Sequence, residues 1–209
     1  MKPVRRAAAL AFALLLSPAV AHAGDPSALL ARVEKSAQSV KTLAGEFTQK
    51  SRIKLFKQEL TSRGRFSYRR PREIRWEYLS PDPSVLVLDG DRAVLASPGA
   101  PPQTFDLTRD ATMRAIFDQI TLWLGAASAA SLKEGYDVTA AGSDDAPALL
   151  LQPKPGGAVA KAFSRIELRF DKQLLLHAIL LRESSGDEKE ITFTKMERNA
   201  KLPANAFTP

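Results

Sequence analysis

The sequence predicts an α+β fold, mainly β, in which a long curved antiparallel sheet carries helices on its concave face. Three observations support this class. Apolar residues recur at helical spacing in two stretches, they alternate with polar residues in most of the remaining chain, and turn residues separate the alternating segments. The order of helix, strands, helices and strands is typical of helices packed on one face of an antiparallel sheet. A chain of 209 residues without a linker or an internal repeat predicts one domain.

The N-terminus predicts a secretory signal peptide over residues 1–23. Basic residues precede an apolar run over residues 7–16, and Ala21-His22-Ala23 provides a cleavage site. The run is too short for a transmembrane helix, which needs about 20 apolar residues. We therefore expect cleavage after Ala23, a mature domain over residues 24–209, and a periplasmic location.

The mature chain begins with a predicted amphipathic helix over residues 27–42. Apolar residues from Leu30 to Val40 recur there at helical spacing, and Asp25-Pro26-Ser27 supplies helix-start residues. The next segments have a period of two, with one polar and one apolar face. These strands are predicted over residues 63–68, 72–78 and 85–88. Asp89-Gly90 predicts the central pair of a type I′ hairpin turn.

A second helix is predicted over residues 110–124, after a loop over residues 98–102. Its apolar side chains form one stripe: Met113, Ile116, Phe117, Ile120, Trp123 and Leu124. A shorter helical segment is predicted over residues 128–134. Five antiparallel strands follow, separated by turn residues, and they are predicted over residues 137–140, 148–151, 163–170, 174–181 and 189–196.

The sequence carries no enzyme signal. The absence of cysteine excludes disulfide scaffolds, Cys-ligated metals, thiol nucleophiles and a lipid-modified N-terminal cysteine, and two histidines are too few for a His-based metal site or triad. Nucleotide-binding, hydrolase and metalloprotease motifs are absent from the sequence. His177 is predicted on the same strand face as Ile179 and Leu181, where a structural role is favoured over catalysis. We expect no catalysis, cofactor or metal.

Aromatic and apolar side chains on the early strands and the second helix allow two interpretations. They form either a plain core or the wall of a cavity that accepts an apolar ligand. The residues in question are Phe47, Phe66, Tyr68, Trp76, Tyr78, Phe117 and Trp123.

Positive charge is concentrated early in the mature chain. The full chain has a net charge of +7, and removal of the three basic signal-peptide residues leaves +4. Residues 50–75 contain ten basic residues against Glu59 and Glu73, so this segment carries +8 and the remainder −4. It predicts either a solvated outer strand face or a docking face for an acidic partner or anionic lipid headgroups. The arginines of this basic docking face are Arg63, Arg65, Arg72 and Arg75. Nucleic acid is not expected, because an exported chain without a binding motif gives no such indication.

Several short motifs occur in a fixed order along the mature chain. The first half contains Phe47-Thr48-Gln49-Lys50, Gly64-Arg65-Phe66, Arg70-Pro71, Arg75-Trp76, Pro81 and Val87-Leu88-Asp89-Gly90. The last third contains Gly186-Asp187-Glu188, Ile191-Thr192-Phe193, Asn199 and Phe207-Thr208-Pro209. Each motif alone is weak, but as an ordered set they are fairly specific. This set resembles the LolA family of periplasmic carriers, which transport outer-membrane lipoproteins, and the resemblance covers nearly the whole mature chain.

The resemblance implies an incomplete antiparallel β-barrel whose open side is covered by helices and which encloses an acyl-chain cavity. It implies Arg70 as the residue that closes the helical lid and Ile74 as a cavity residue. It also implies an acylated lipoprotein or lipid as cargo, an inner-membrane release complex and an outer-membrane acceptor as partners, and a monomeric carrier. The full set of expected cavity residues is Phe47, Phe66, Tyr68, Ile74, Trp76, Tyr78, Leu86, Leu88, Ile116, Phe117, Ile120 and Trp123.

Two alternative functions stay open at this point. One is a periplasmic regulatory module of the same fold that senses lipids or peptides. The other is a carrier of a different cargo, such as a glycolipid or an aryl-polyene lipid. The stretch Ala93-Val94-Leu95-Ala96 motivates the second alternative, because it stands where the family has an aromatic signature.

Overall fold

The computed structural model describes residues 25–55, 58–121, 124 and 128–208. The predicted signal peptide and its cleavage site lie outside the described residues. Within the described chain there are four helices and eleven strands. The helices are α1 (Pro26–Gln38), α2 (Ala111–Thr121), α3 (Ala129–Gly135) and α4 (Ala158–Ala162). The strands are β1 (Thr42–Ile53), β2 (Gln58–Arg69), β3 (Glu73–Ser80), β4 (Ser84–Asp89), β5 (Arg92–Ala96), β6 (Gln103–Asp106), β7 (Tyr136–Gly142), β8 (Pro147–Pro153), β9 (Phe163–Phe170), β10 (Leu176–Glu183) and β11 (Glu188–Arg198).

All described strands belong to one antiparallel sheet in the order β6-β5-β4-β3-β2-β1-β11-β10-β9-β8-β7. The pairing of β1 with β11 joins the N-terminal half of the sheet to the C-terminal half. Because β6 and β7 lie at opposite edges and do not pair, the sheet is not closed. The predicted fold class is therefore confirmed: a mainly β, unclosed antiparallel sheet with a few helices.

The hydrophobic core lies between one face of this sheet and the helices. Leu30 of α1, Phe117 of α2 and Leu132 of α3 belong to the same buried cluster as the inner-facing residues of the strands. The strands contribute alternate residues, as expected for a sheet with one buried face. In β3, for example, Ile74 and Trp76 are buried whereas Leu79 is half exposed.

Two predicted boundaries are wrong for reasons of strand pairing. The first helix is predicted to residue 42, but α1 ends at Gln38 because Thr42 already pairs with Arg69 in the β1–β2 ladder. The hairpin after β4 is predicted to centre on Asp89-Gly90. In the structure Asp89 pairs with Arg92, so Gly90 and Asp91 form the turn. Of these two residues only Gly90 has a positive φ, 59°, which is the φ pattern of a type II′ turn.

The predicted position of His177 is also wrong. The alternation of residues 174–181 predicts that His177 lies on the same strand face as Ile179 and Leu181. In the structure His177 is exposed, whereas Ile179 and Leu181 are both buried. The register between β10 and β9 shifts between Leu176 and Ala178. Such a bulge inserts one extra residue into the strand, so the residues before and after it change face.

Candidate ligand-binding cavity

A cavity of about 790 Å³ lies between the sheet and helices α2 and α4. This volume falls within the range of roughly 300–1,000 Å³ that is typical of ligand pockets. The wall combines strands from both halves of the sheet with helical residues: Gln49, Trp76, Tyr78, Ser84, Leu86, Leu95, Gln119, Ile120, Leu124, Val159, Lys161, Ala162, Phe163, Ile179, Leu181, Lys189 and Ile191.

A cluster of aromatic rings supports the cavity from the sheet side. The rings of Phe47 and Trp76 stack with their centroids 4.3 Å apart, and Phe66 contacts Phe193 edge-on at 5.3 Å. Strand pairing brings these rings together, because Phe47 is opposite Phe193 and Phe66 is opposite Trp76. Packed rings of this kind form a rigid floor, since aromatic side chains bury a large area and have few torsions.

Four of the predicted cavity residues line this cavity, namely Trp76, Tyr78, Leu86 and Ile120. Six others are buried in the core and do not belong to its wall: Phe47, Phe66, Tyr68, Ile74, Leu88 and Phe117. The side chain of Ile116 and the whole of Trp123 lie outside the described residues. The alternation of apolar and polar residues correctly predicts which side chains of these strands are buried. It does not distinguish a buried side chain that lines the cavity from one that packs in the core behind it.

Several wall residues were missed by the sequence analysis. Ile179, Leu181 and Ile191 come from β10 and β11, which pattern analysis identifies as strands without assigning them to the cavity. Val159 and Ala162 come from α4, a helix that was not predicted. A signal for α4 exists, because the good helix formers of the AVAKA segment directly follow Gly157, which is its N-cap residue.

The polar groups on the wall are few. The Tyr78 hydroxyl donates a hydrogen bond of 2.8 Å to the side-chain oxygen of Gln49. Burial raises the pKa of Tyr78, so this hydroxyl is neutral at physiological pH. Lys189 forms an ion pair with Glu183, and Lys161 of α4 also lies on the wall. A mainly apolar wall with a small number of polar groups is typical of a site for an amphipathic ligand.

Arg70 holds the C-terminal end of α1. Its Nε donates to the backbone oxygen of Val40 at 2.7 Å, and its Nη2 donates to that of Ala37 at 2.9 Å. The last carbonyls of a helix lack intrahelical partners and carry partial negative charge, so a guanidinium is favourable there. The predicted lid residue thus contacts α1 and the segment directly after it.

Arg72 contacts α2 instead. Its Nη2 donates to the Asp118 carboxylate at 2.8 Å, and its Nη1 lies 3.5 Å from the carboxylate of Asp91. Arg114 of α2 lies within 3.3 Å of Asp91 and 3.7 Å of Asp118. Arg70 and Arg72, two residues apart, therefore contact two of the helices that pack on this face of the sheet, α1 and α2.

The four arginines predicted as a basic docking face have different partners in the structure. Arg65 and Arg75 both contact the carboxylate of Glu77, at 2.7 Å and 3.3 Å, and Arg75 also donates to the Thr208 backbone oxygen. The hydrogen bond from Arg65 is the largest cause that lowers the pKa of Glu77, and Arg75 adds to it. Arg72 contacts α2, and Arg63 is exposed. Much of the positive charge of this segment is therefore balanced within the chain.

No helix among the described residues is both long and apolar enough to cross a membrane. An unclosed antiparallel sheet that is covered by helices and encloses a mainly apolar cavity defines a class of binding proteins for apolar ligands. The chain matches the family model described as outer membrane lipoprotein carrier protein LolA over residues 38–209. It therefore belongs to the LolA family of outer-membrane lipoprotein carrier proteins.

Individual relatives agree with this assignment. The chain is 29% identical to the outer-membrane lipoprotein carrier protein of Dechloromonas aromatica, over 95% of this chain and 88% of the relative. It is 30% identical to the protein of the same description from Cupriavidus taiwanensis, over 98% of this chain and 91% of the relative. A solved LolA superfamily protein from Nitrosomonas europaea aligns over 88% of this chain and 97% of its own, at 11% identity. The TM-score of this alignment is 0.47.

Proposed function

We propose that this protein binds the acyl chains of lipoproteins in the cavity beneath α2 and α4 and carries them through the periplasm from the inner to the outer membrane. The observation that carries the proposal is the cavity of about 790 Å³ with its mainly apolar wall, in a chain of the lipoprotein carrier family. The cavity residues act by burying the chains, so no catalytic step is part of the proposal.

The physical need for such a carrier follows from the cost of exposing acyl chains to water. At about 0.8 kcal/mol per methylene, a 16-carbon chain costs on the order of 12 kcal/mol in water. A protein that covers the chain removes most of this cost, but it must also release the chain to an acceptor. Contacts that close the helices over the sheet compete with the ligand and so lower its apparent affinity.

Arg70 is the residue we propose as the closing contact. It bonds the end of α1 through two charge-assisted hydrogen bonds, which stabilise the closed position of that helix. Removing them should favour an open, ligand-holding state. We expect Arg70→Leu to fold normally and to release bound lipid about tenfold more slowly, because a loss of about 1.4 kcal/mol from the closed state corresponds to that factor.

Two control variants distinguish the effect of the Arg70 contact with α1 from the effect of the Arg72 contact with α2. Asp118→Asn weakens the contact of Arg72 with α2 and leaves Arg70 in place. Arg165→Leu removes an exposed arginine on β9 that forms an ion pair with Glu167 and lies away from both helices. Release is measured by transfer of a fluorescent lipid to acceptor vesicles. An unchanged release rate in Arg70→Leu contradicts the closing role, whatever the result for Asp118→Asn.

The cargo is identified by mass spectrometry of material that co-purifies with the native protein from the periplasm. Acylated polypeptides support the proposal, whereas free glycolipids or polyene conjugates contradict it.

We also propose that residues 1–23 form a signal peptide that is cleaved after Ala23. N-terminal sequencing of the exported protein tests this, and a protein that still begins at Met1 contradicts it.

We further propose that the carrier is a monomer that interacts with a release complex of the inner membrane and an acceptor of the outer membrane. A single-domain sheet that buries its own core needs no second subunit to be stable. Pull-down from separated membrane fractions with lipid-loaded protein tests the partners, and sedimentation of the purified protein tests the monomer.

A further inference from the structure

The charged side chains on the wall of the cavity beneath α2 and α4 are all positive. Lys161 of α4 and Lys189 of β11 line this cavity, and no aspartate or glutamate does so among the described residues. The rest of the wall is uncharged and mainly apolar. The cavity therefore offers a favourable position for a negative charge and none for a positive one.

The two lysines differ in their partners. Lys189 forms an ion pair with Glu183, which is not part of the wall. The ammonium group of Lys161 has no ion pair and no hydrogen-bond partner in the part of the chain that the structure describes. Lys161 and the neighbouring Ala162 are both exposed although both line the cavity, so the cavity reaches the protein surface at this point. The opening thus carries a cation that is available to a ligand.

The backbone around Lys161 is anchored to the hairpin between β10 and β11. The amide of Ser184 in this hairpin donates a hydrogen bond of 2.9 Å to the backbone oxygen of Ala162. Strand β9 begins directly after α4, and its first residue is opposite Glu183 in the β9–β10 ladder. Because Glu183 is also the partner of Lys189, both lysines lie at the same end of the cavity. Their positive charges therefore act on the same part of a bound ligand.

The remaining wall supplies apolar contact. It includes aliphatic side chains from four strands and from α2: Leu86, Leu95, Ile120, Ile179 and Ile191. A charged head placed against these side chains would lose its hydration without gaining a partner, which is costly. The favourable orientation of an amphipathic ligand therefore has its head at Lys161 and its chain against the aliphatic side chains.

We propose that Lys161 binds the anionic head of an amphipathic lipid, either a carboxylate or a phosphate monoester, at the opening of the cavity. The inference rests on the proposed function, because it requires a cavity that buries acyl chains, and it adds anionic lipids as a second class of ligand. The head stays partly hydrated at the exposed lysine while the chain is buried. Lys161 thus favours an anionic head over a neutral head on the same chain.

The test compares 12-carbon ligands that differ only in their heads: dodecanoate, dodecyl phosphate and the neutral dodecanol. Calorimetric titration at about pH 8, where the carboxylate is ionised, measures the Kd of each ligand for the purified protein. A partly exposed ion pair changes a Kd by about fivefold. We expect Lys161→Met to weaken the binding of both anions by about this factor and to leave the Kd of dodecanol unchanged.

Lys154→Met is the matched control. Lys154 lies between β8 and α4, does not line the cavity, and donates a hydrogen bond to the backbone oxygen of Lys133. Its replacement removes the same charge and should leave all three Kd values unchanged. If Lys161→Met binds the anions as tightly as the unaltered protein, or loses as much affinity for dodecanol, the inference is overturned and the proposed function is left intact.

Inorganic phosphate distinguishes a lipid head from a free anion. Millimolar phosphate should not displace dodecyl phosphate, because burial of the alkyl chain supplies most of the binding free energy. Displacement would mean that Lys161 is a site for free anions, which contradicts the assignment to a lipid. If the unaltered protein binds none of the three ligands, the proposed function and this inference are both overturned.

Discussion

Tyr68 is a fully buried residue whose hydroxyl has no hydrogen-bond partner among the described residues. Burial raises the pKa of this phenol, although the nearby charge of Arg70 acts in the opposite direction. An unpaired buried hydroxyl costs about 1–3 kcal/mol relative to a paired one. We therefore predict that Tyr68→Phe leaves the free energy of unfolding unchanged or raises it by about 1 kcal/mol, as measured by urea denaturation.

Tyr78→Phe serves as the comparison for this prediction. The Tyr78 hydroxyl is bonded to Gln49, so its removal should lower the free energy of unfolding by about 1 kcal/mol. A greater loss of stability in Tyr68→Phe than in Tyr78→Phe would mean that the Tyr68 hydroxyl has a stabilising partner.

The ionisation of Glu77 should make the free energy of unfolding depend on pH in the acid range. Its side chain is only 18% exposed, and the contacts with Arg65 and Arg75 lower its pKa from the ordinary value of about 4.3. A group whose folded-state pKa is lowered contributes stability above its unfolded pKa and loses that contribution as the pH falls through its folded pKa. We predict that Glu77→Gln lowers the free energy of unfolding by about 1 kcal/mol at pH 7, and that this difference shrinks below about pH 4.

Denaturation curves collected between pH 3 and pH 7 measure this dependence. Glu46→Gln is the matched control, because it removes a surface ion pair with Lys195 in which both side chains are at least half exposed. Such pairs contribute little at any pH. A difference for Glu77→Gln that stays constant down to pH 3 contradicts the prediction.

At the level of the strands, Gly64 sets the distance between β2, β3 and the aromatic floor. A Cβ at this position would lie 2.2 Å from the Glu77 backbone oxygen and 2.3 Å from the ring of Phe47. Neither neighbour yields easily, since one is backbone and the other is packed against Trp76. We predict that Gly64→Ala lowers the free energy of unfolding by about 1–3 kcal/mol, because the strand or the ring must shift.

Gly135→Ala is the control for Gly64→Ala, and thermal unfolding compares the stability of the two variants. A Cβ there meets nothing within 4 Å, and Gly135 lies at the end of α3. That substitution should be neutral or raise the free energy of unfolding by up to about 1 kcal/mol, because alanine reduces the entropy of the unfolded chain. Equal effects of the two substitutions would show that the close approach at Gly64 is relieved without cost.

The elements also show where sequence patterns are sufficient and where they are not. Period-two alternation predicts β9 with its correct bounds, because the buried Ile166, Leu168 and Phe170 alternate with more exposed charged residues. The same alternation misplaces His177, because a bulge changes the face of the strand within β10 and leaves no mark in the alternation. Short edge strands such as β6 were not predicted, because four residues are too few to establish a period.

For the whole molecule, ligand binding should be coupled to stability. A ligand that binds the folded state alone raises the free energy of unfolding by about 2.7 kcal/mol at a concentration of 100 times its Kd. We predict an increase of this size with a saturating long-chain fatty acid, measured as a concentration-dependent Tm by calorimetry. Ala162→Trp should reduce the increase, since Ala162 lies on the cavity wall and a tryptophan there occupies the space.

Ala160→Trp is the control within the same short helix. Ala160 belongs to α4 but does not line the cavity, so its variant should keep the ligand-dependent rise in Tm. If both variants retain the full increase, the ligand binds outside the cavity beneath α2 and α4.

The sequence by itself determined the fold class, most of the strands and the family, because hydrophobic periodicity and ordered motifs are local properties of the chain. It also identified Arg70 as a contact to the helices, through the resemblance. The tertiary structure alone decided which inner-facing residues form the cavity wall, since Phe47 and Trp76 have the same pattern but only Trp76 reaches the cavity. It also decided that Arg70 contacts α1 whereas Arg72 contacts α2. These assignments depend on how distant strands pair and on the position of each helix over the sheet, which result from long-range packing and have no local signature in the sequence.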